Sequence, residues 1–244
     1  MASKRFRLMS SALICGSLLF TASSAQADKI VVAPLNSTPA GQTYGRWATQ
    51  WYEWVLGIPS AENPLLDKTG QYCGQRQVDD VWFLSGSSVG PVVRYCNIPA
   101  DKALFFPLIN SGYFAFLSDP PDQRTEQFVR SQAACTLPVQ ISLTIDGKKV
   151  EKPERYFTGD SGSQSPIFNV QLPPPIPLPP GNGNIFQGDL NTIPELVLTP
   201  SAEQGYYIFL NPLPPGKHTI RWVARGCTPI NPPQDITYNL TVAN

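Results

Sequence analysis

Residues 139–145 read VQISLTI, with apolar and polar side chains in strict alternation. A period of two marks a strand with one face in a core and the other in water. The pattern returns at Ile236, Tyr238, Leu240 and Val242, and residues 204–210 (QGYYIFL) and 217–225 (KHTIRWVAR) read as strands too. Between these runs the chain is cut by turns drawn from 26 prolines and 18 glycines. Proline lacks an amide hydrogen and locks φ, so it breaks helices and strand ladders alike. Ten or so short strands with little helix predict a mainly β chain: a single disulfide-linked β-sandwich, jelly-roll-like, with two helices.

The exception is YGRWATQWYEWVLGI, residues 44–58, with three of the chain's five tryptophans. Thr38-Pro39 or Thr43 can start a helix there, and Gly57 with Pro59 ends it. On a helical wheel Tyr44, Trp47, Ala48, Trp51, Trp54, Val55 and Ile58 form one stripe, opposite Arg46, Thr49, Gln50 and Glu53. The stripe predicts packing against a sheet. If one aromatic of this helix meets a ligand, it is Tyr52, at the stripe's edge beside Glu53. A short second helix is expected from Asp119 towards Cys135.

Other strands are expected at 29–35, at 102–110 (KALFFPLIN, buried on both faces) and at 165–172. Residues 80–84 and 91–96 read as a hairpin joined by SGSSVG, and 204–210 with 217–225 as a long one joined by NPLPPG. Asp146-Gly147 is a tight turn. Residues 173–184, PPPIPLPPGNGN, form a Pro/Gly-rich loop inside one domain, residues 28–244.

Residues 1–27 carry Lys4, Arg5 and Arg7, an apolar run from Leu8 to Phe20, and Ala25-Gln26-Ala27. This is the layout of a cleaved signal peptide, and the run is short for a membrane span. Cleavage leaves 217 residues with 15 basic and 18 acidic side chains, a net charge of −3. Nucleic acid and anionic lipid are poor partners for such a surface. The expected address is periplasmic or extracellular, with no later membrane span. Cys73, Cys96, Cys135 and Cys227 remain, and an even count in an exported chain argues for two disulfides. Of three pairings, Cys73–Cys96 with Cys135–Cys227 is favoured, because the first brackets the 80–96 hairpin.

No cofactor or metal site is expected, since C-x-x-C is absent and His218 is the only histidine of the chain. Gly159-Asp160-Ser161-Gly162 matches a protease nucleophile loop, but no histidine precedes it. Gly86-Ser87-Ser88-Val89-Gly90 fits G-x-S-x-G, but a strand follows where a helix is needed. Both read as turns. His218 reads as a half-buried strand residue, with a general base as the lesser alternative. Paired acids near aromatics are limited to Glu53, Asp79 and Asp80. Asn110, at the mouth of the apolar strand, can tie a turn or fix a ligand.

The blocks NPLLDKTGQYC, VWFLSG, CNIPADKALFFPLIN and PLPPGKHTIRW, with the Trp-rich segment, span most of the chain. In these it resembles a family of secreted proteins of bacteria and some archaea. The resemblance implies export and one domain, and it carries no catalytic residue. The leading expectation is an exported, non-enzymatic binding or envelope-associated protein whose ligand or partner is a glycan or another envelope component. Tyr52, Glu53, Asn110 and His218 are the candidate ligand residues. The alternative is a secreted polysaccharide hydrolase or lyase using carboxylates or His218.

Overall fold

In the computed structural model the described residues are 30–77, 79–160, 162–174, 183–186, 196–228 and 232–243. The signal segment, most of the Pro/Gly-rich loop and Ser161 lie outside them. The fold is mainly β, with two α-helices, α1 (Tyr44–Leu56) and α2 (Glu126–Gln132). The strands are β1 (Val81–Phe83), β2 (Val92–Ile98), β3 (Ala103–Phe114), β4 (Leu137–Ile145), β5 (Lys148–Lys149), β6 (Phe168–Gln171), β7 (Val197–Leu210), β8 (Gly216–Cys227) and β9 (Gln234–Val242). They form two sheets, ordered β1-β3-β7-β6 and β2-β9-β8-β4-β5.

Three layers result. Adjacent strand residues point to opposite faces. Phe106 stacks on Trp222 of the second sheet at 5.2 Å, while Phe105 meets Tyr44 and Trp47 of α1. The first sheet is thus covered on both sides, which is why β3 starts as an unbroken buried run, ALFFPLI. The second sheet keeps one face in water, and β2 and β9 alternate accordingly. One core cluster draws on both sheets and α1.

The tryptophan stripe packs as the wheel predicts. The indole N–H groups of Trp47, Trp51 and Trp54 donate to the carbonyls of Pro39, Leu84 and Gln75. The helix starts at Thr43, whose hydroxyl accepts from the Arg46 amide. Its opposite side is less polar than expected. Thr49 is buried, and the chain at 163–168 crosses that side: a Cβ on Gly45 would lie 2.6 Å from the Ser163 and Gln164 backbone, and Tyr52 stacks on Phe168.

Both expected hairpins, 80–96 and 204–225, are overturned. β1 pairs in parallel with β3, whereas β2 pairs in parallel with β9 in the other sheet. SGSSVG is therefore a crossover between layers. Likewise β7 lies between β3 and β6, and β8 between β9 and β4. NPLPPG also crosses layers, and its three prolines offer no amides to close a ladder. The parallel pairs depart from a jelly roll, whose strands pair antiparallel. Of the first expected strand, the described residues 30–35 contribute an isolated bridge, Val32 to Leu210, instead of a strand. The second helix is split: a 3-10 turn, Pro121–Arg124, precedes α2, which Thr125 caps. Asp146-Gly147 turns β4 into β5, with φ of 50° and 73°; glycine adopts positive φ at no steric cost.

Two disulfides form, Cys73–Cys96 and Cys135–Cys227. The first does not bracket a hairpin; it ties the turn before β1 to β2 in the other sheet. The second ties the chain after α2 to the end of β8.

Candidate functional site

Pro107 lies within β3, a strand paired on both sides at its start, and cannot donate to a ladder. The pairing with β7 slips there, from Pro107↔Tyr207 to Ile109↔Tyr206, and Leu108 is the extra residue. A bulge of one residue swaps the faces of everything after it. Asn110 is thereby brought onto the same face as Phe105 and Tyr207. Without the slip it would point towards the second sheet.

β1 covers β3 only from Ala103 to Phe105. Beyond Phe105, no strand among the described residues pairs with β3 on that side. A half-open cleft of about 540 Å³ lies along this edge. Residues 107–114 line its floor, and Trp51, Tyr52 and Leu56 of α1 form one wall. Ser87 and Ser88 of the crossover, Ser131 and Gln132 of α2, and Phe186 and Gln234 are among the other lining residues. Among the described residues, no charged side chain lines the cleft.

Two of the four candidate ligand residues meet here. Tyr52 lines the wall, but it is 7% exposed rather than a free platform. Its ring lies over Gly112, where a Cβ would approach it to 3.0 Å. Burial pushes its phenol well above the usual range, and Glu203 adds to this. Asn110 lines the floor, and its amide donates to the Tyr207 hydroxyl at 3.1 Å. Glu53 is exposed on α1 and lies outside the cleft. His218 also lies outside: Nδ1 meets the Asp146 carboxylate at 2.8 Å and Nε2 the Pro214 carbonyl at 2.8 Å. It clamps the β4–β5 turn to β8, whose Thr219 amide also donates to Asp146.

The acids considered for hydrolysis do not converge. Asp79 and Asp80 sit in an exposed turn, and Asp80 faces Lys102 at 3.7 Å. Ser87 accepts from the Val89 amide, and Gln234 holds the Ser87 backbone. That serine is part of a pinned loop.

Two buried polar clusters escaped the sequence reading. Behind the cleft floor, Glu203 of β7 is 1% exposed. Its carboxylate accepts from Tyr207 at 2.7 Å and from Thr158 at 3.3 Å. Burial pushes its carboxyl up to about 7, against the Tyr207 and Thr158 hydroxyls and the Arg130 charge. The signal was available: Glu203, Gly205, Tyr207 and Phe209 fall in phase on one strand face. Across the crossover, Arg94 of β2 is 1% exposed. It donates to the carbonyls of Asp67, Ser85 and Gly86 and to the Tyr238 hydroxyl. Burial disfavours the Asp67 charge, but the amides of Tyr72, Thr69 and Gly70 outweigh it and hold that carboxyl below its usual value.

No protein-family model matches the chain, and no curated protein matches it. Among solved structures, the chain is similar to a cysteine protease inhibitor, EhICP2, from Entamoeba histolytica. The identity is 12% and the TM-score 0.22, over 66% of this chain and 95% of that one. The solution structure of Amebosin is similar at 10% identity and a TM-score of 0.23, over 68% of this chain and 99% of that one. At such scores neither similarity carries an argument about what this protein does.

Proposed function

We propose that the protein is an exported binding protein, built as one sandwich-type domain, that holds a neutral carbohydrate in the cleft along β3. One observation carries the reading: the described lining combines aromatic faces with hydroxyl, amide and backbone groups and has no charge. A sugar offers apolar C–H faces and neutral hydroxyls, which such a lining matches. An ionic ligand would lose its hydration with no opposite charge to meet it. Two disulfides support an oxidising compartment. No helix among the described residues is long and apolar enough to cross a membrane. The hydrolase reading needs two acids flanking the bond to be cut, and none is found in the described lining.

A glycan array probed with the purified, oxidised protein tests the proposal. Saturable binding to neutral glycans is expected, without release of reducing ends. Asn110→Ala should weaken that binding about tenfold or more, the loss of one well-placed hydrogen bond or two. Turnover on any glycan, or binding untouched by Asn110→Ala, would refute it.

A further inference from the structure

We infer that the protein carries a further ligand site, for a small carboxylic acid with an apolar body, in a pocket at the far edge of the first sheet where Arg155 meets residues 32–36.

The pocket arises from a change of partner along β7. On the edge of β7 away from β3, two segments pair in turn. The Ala33 amide donates to the Phe209 carbonyl, and the Asn211 amide to the Val31 carbonyl. Further back, the Tyr207 amide donates to the Tyr156 carbonyl, and the Thr158 amide to the Gly205 carbonyl. Both segments run antiparallel to β7. Neither bridges the gap between them. After Ala33 the chain turns away, with the Ser37 amide and hydroxyl both donating to the Pro34 carbonyl. Before Tyr156 it is coiled in a 3-10 turn, Pro153–Arg155. A pocket of about 310 Å³ lies here, lined by Val32, Pro34, Leu35 and Asn36 from one segment and by Arg155 and Tyr156 from the other. None of these residues lines the cleft along β3.

Its chemistry has two halves. Val32, Pro34 and Leu35 supply apolar surface, and Arg155 supplies a charge. The guanidinium is held in place: Nη2 donates to the Tyr156 hydroxyl at 2.7 Å, and Cζ lies 4.8 Å from the centre of that ring. The ring is 1% exposed and stacks on Tyr44 of α1 at 6.2 Å. Arginine carries more donors than this one bond uses. The acids nearest in sequence act elsewhere: Glu151 pairs with Lys149 at 3.8 Å, and Glu154 bears on Tyr206. Among the described residues, no carboxylate pairs with Arg155. A fixed, planar cation with no counter-charge matches a carboxylate, and holding it in advance lowers the cost of binding. The apolar lip beside it matches a short hydrocarbon. The volume is at the lower end for small-molecule pockets, which suits a free acid rather than a polymer. Arg155 is exposed, so a ligand can reach it and salt should weaken the contact.

Nuclear magnetic resonance on the oxidised protein at low ionic strength tests this, with hexanoate as the probe. Hexanoate should saturably shift the Arg155 Nε–H signal and the methyl groups of Val32 and Leu35. Hexanamide keeps the body without the charge, and acetate keeps the charge without the body. Each should bind about tenfold more weakly, or worse. Arg155→Gln should abolish the hexanoate response, and Arg155→Lys should weaken it, because an ammonium lacks the fork. Hexanamide binding as well as hexanoate, a response that does not saturate, shifts confined to the cleft at Ile109, or unchanged hexanoate binding in Arg155→Gln overturns the inference. The comparison of probes needs no variant, so it decides the matter even if Arg155→Gln does not fold. The glycan array reports on the cleft alone, and its failure leaves this site untouched.

Discussion

Glu203 illustrates how a single buried charge reaches global stability. Its folded carboxyl sits at about 7, above the ordinary glutamate value of 4.5. The native state therefore keeps a proton that the unfolded chain has released between those two values. Stability from this group is complete below the lower value and is lost as pH rises to the upper one. The span corresponds to roughly 3 kcal/mol. Glu203→Gln should flatten this slope, so that urea unfolding at about pH 8 shows a more stable variant and at about pH 5 little gain. Arg94 is the opposite case, a buried cation answered mostly by carbonyl oxygens. Arg94→Met strands those acceptors and should cost more than about 3 kcal/mol, read by the same unfolding curves. Arg94→Lys should rescue little, because one ammonium cannot reproduce the planar fork.

Among the elements, the disulfides and the bulge do the most to set geometry. Cys135–Cys227 closes a loop of 92 residues and Cys73–Cys96 one of 23. Chain-entropy reasoning gives roughly 3 kcal/mol for the shorter and nearer 5 for the longer. Replacing Cys135 and Cys227 by serine should therefore lower the denaturation midpoint more than replacing Cys73 and Cys96. The sequence supplied this pairing for a reason that does not hold, since the 80–96 hairpin does not form. Both segments are good strands, and their alternation says nothing about which neighbour each takes. The bulge at Leu108 was hidden in the same way. KALFFPLIN shows a proline in a strand, but the slip exists only relative to β7. Its consequence for Asn110 is therefore tertiary.

For the whole molecule, α1 and the two sheets share one core. Trp51, 2% exposed, belongs to it and also borders the cleft. Trp51→Ala should destabilise the protein by roughly 3–5 kcal/mol. Unfolding followed by backbone and by aromatic signals should remain a single transition; two separated transitions would show that the helix layer and the second sheet melt apart. The cleft itself is a product of assembly, because its lining comes from β3, α1, a crossover, α2 and several further segments from Leu65 to Gln234.

What the sequence determined is local and periodic: the strands from their alternation, the buried face of α1 from its stripe, the turn at Asp146-Gly147 from its chemistry. These follow from backbone sterics and from the separation of apolar from polar side chains within a few residues. What only the tertiary structure decided is partnership. It sent β1 and β2, and β7 and β8, to different sheets, and it buried Thr49 and Tyr52 under a segment over a hundred residues away. It also set Glu203 behind Asn110. Those outcomes depend on which surfaces cover one another, and side-chain period carries no information about the identity of a neighbour.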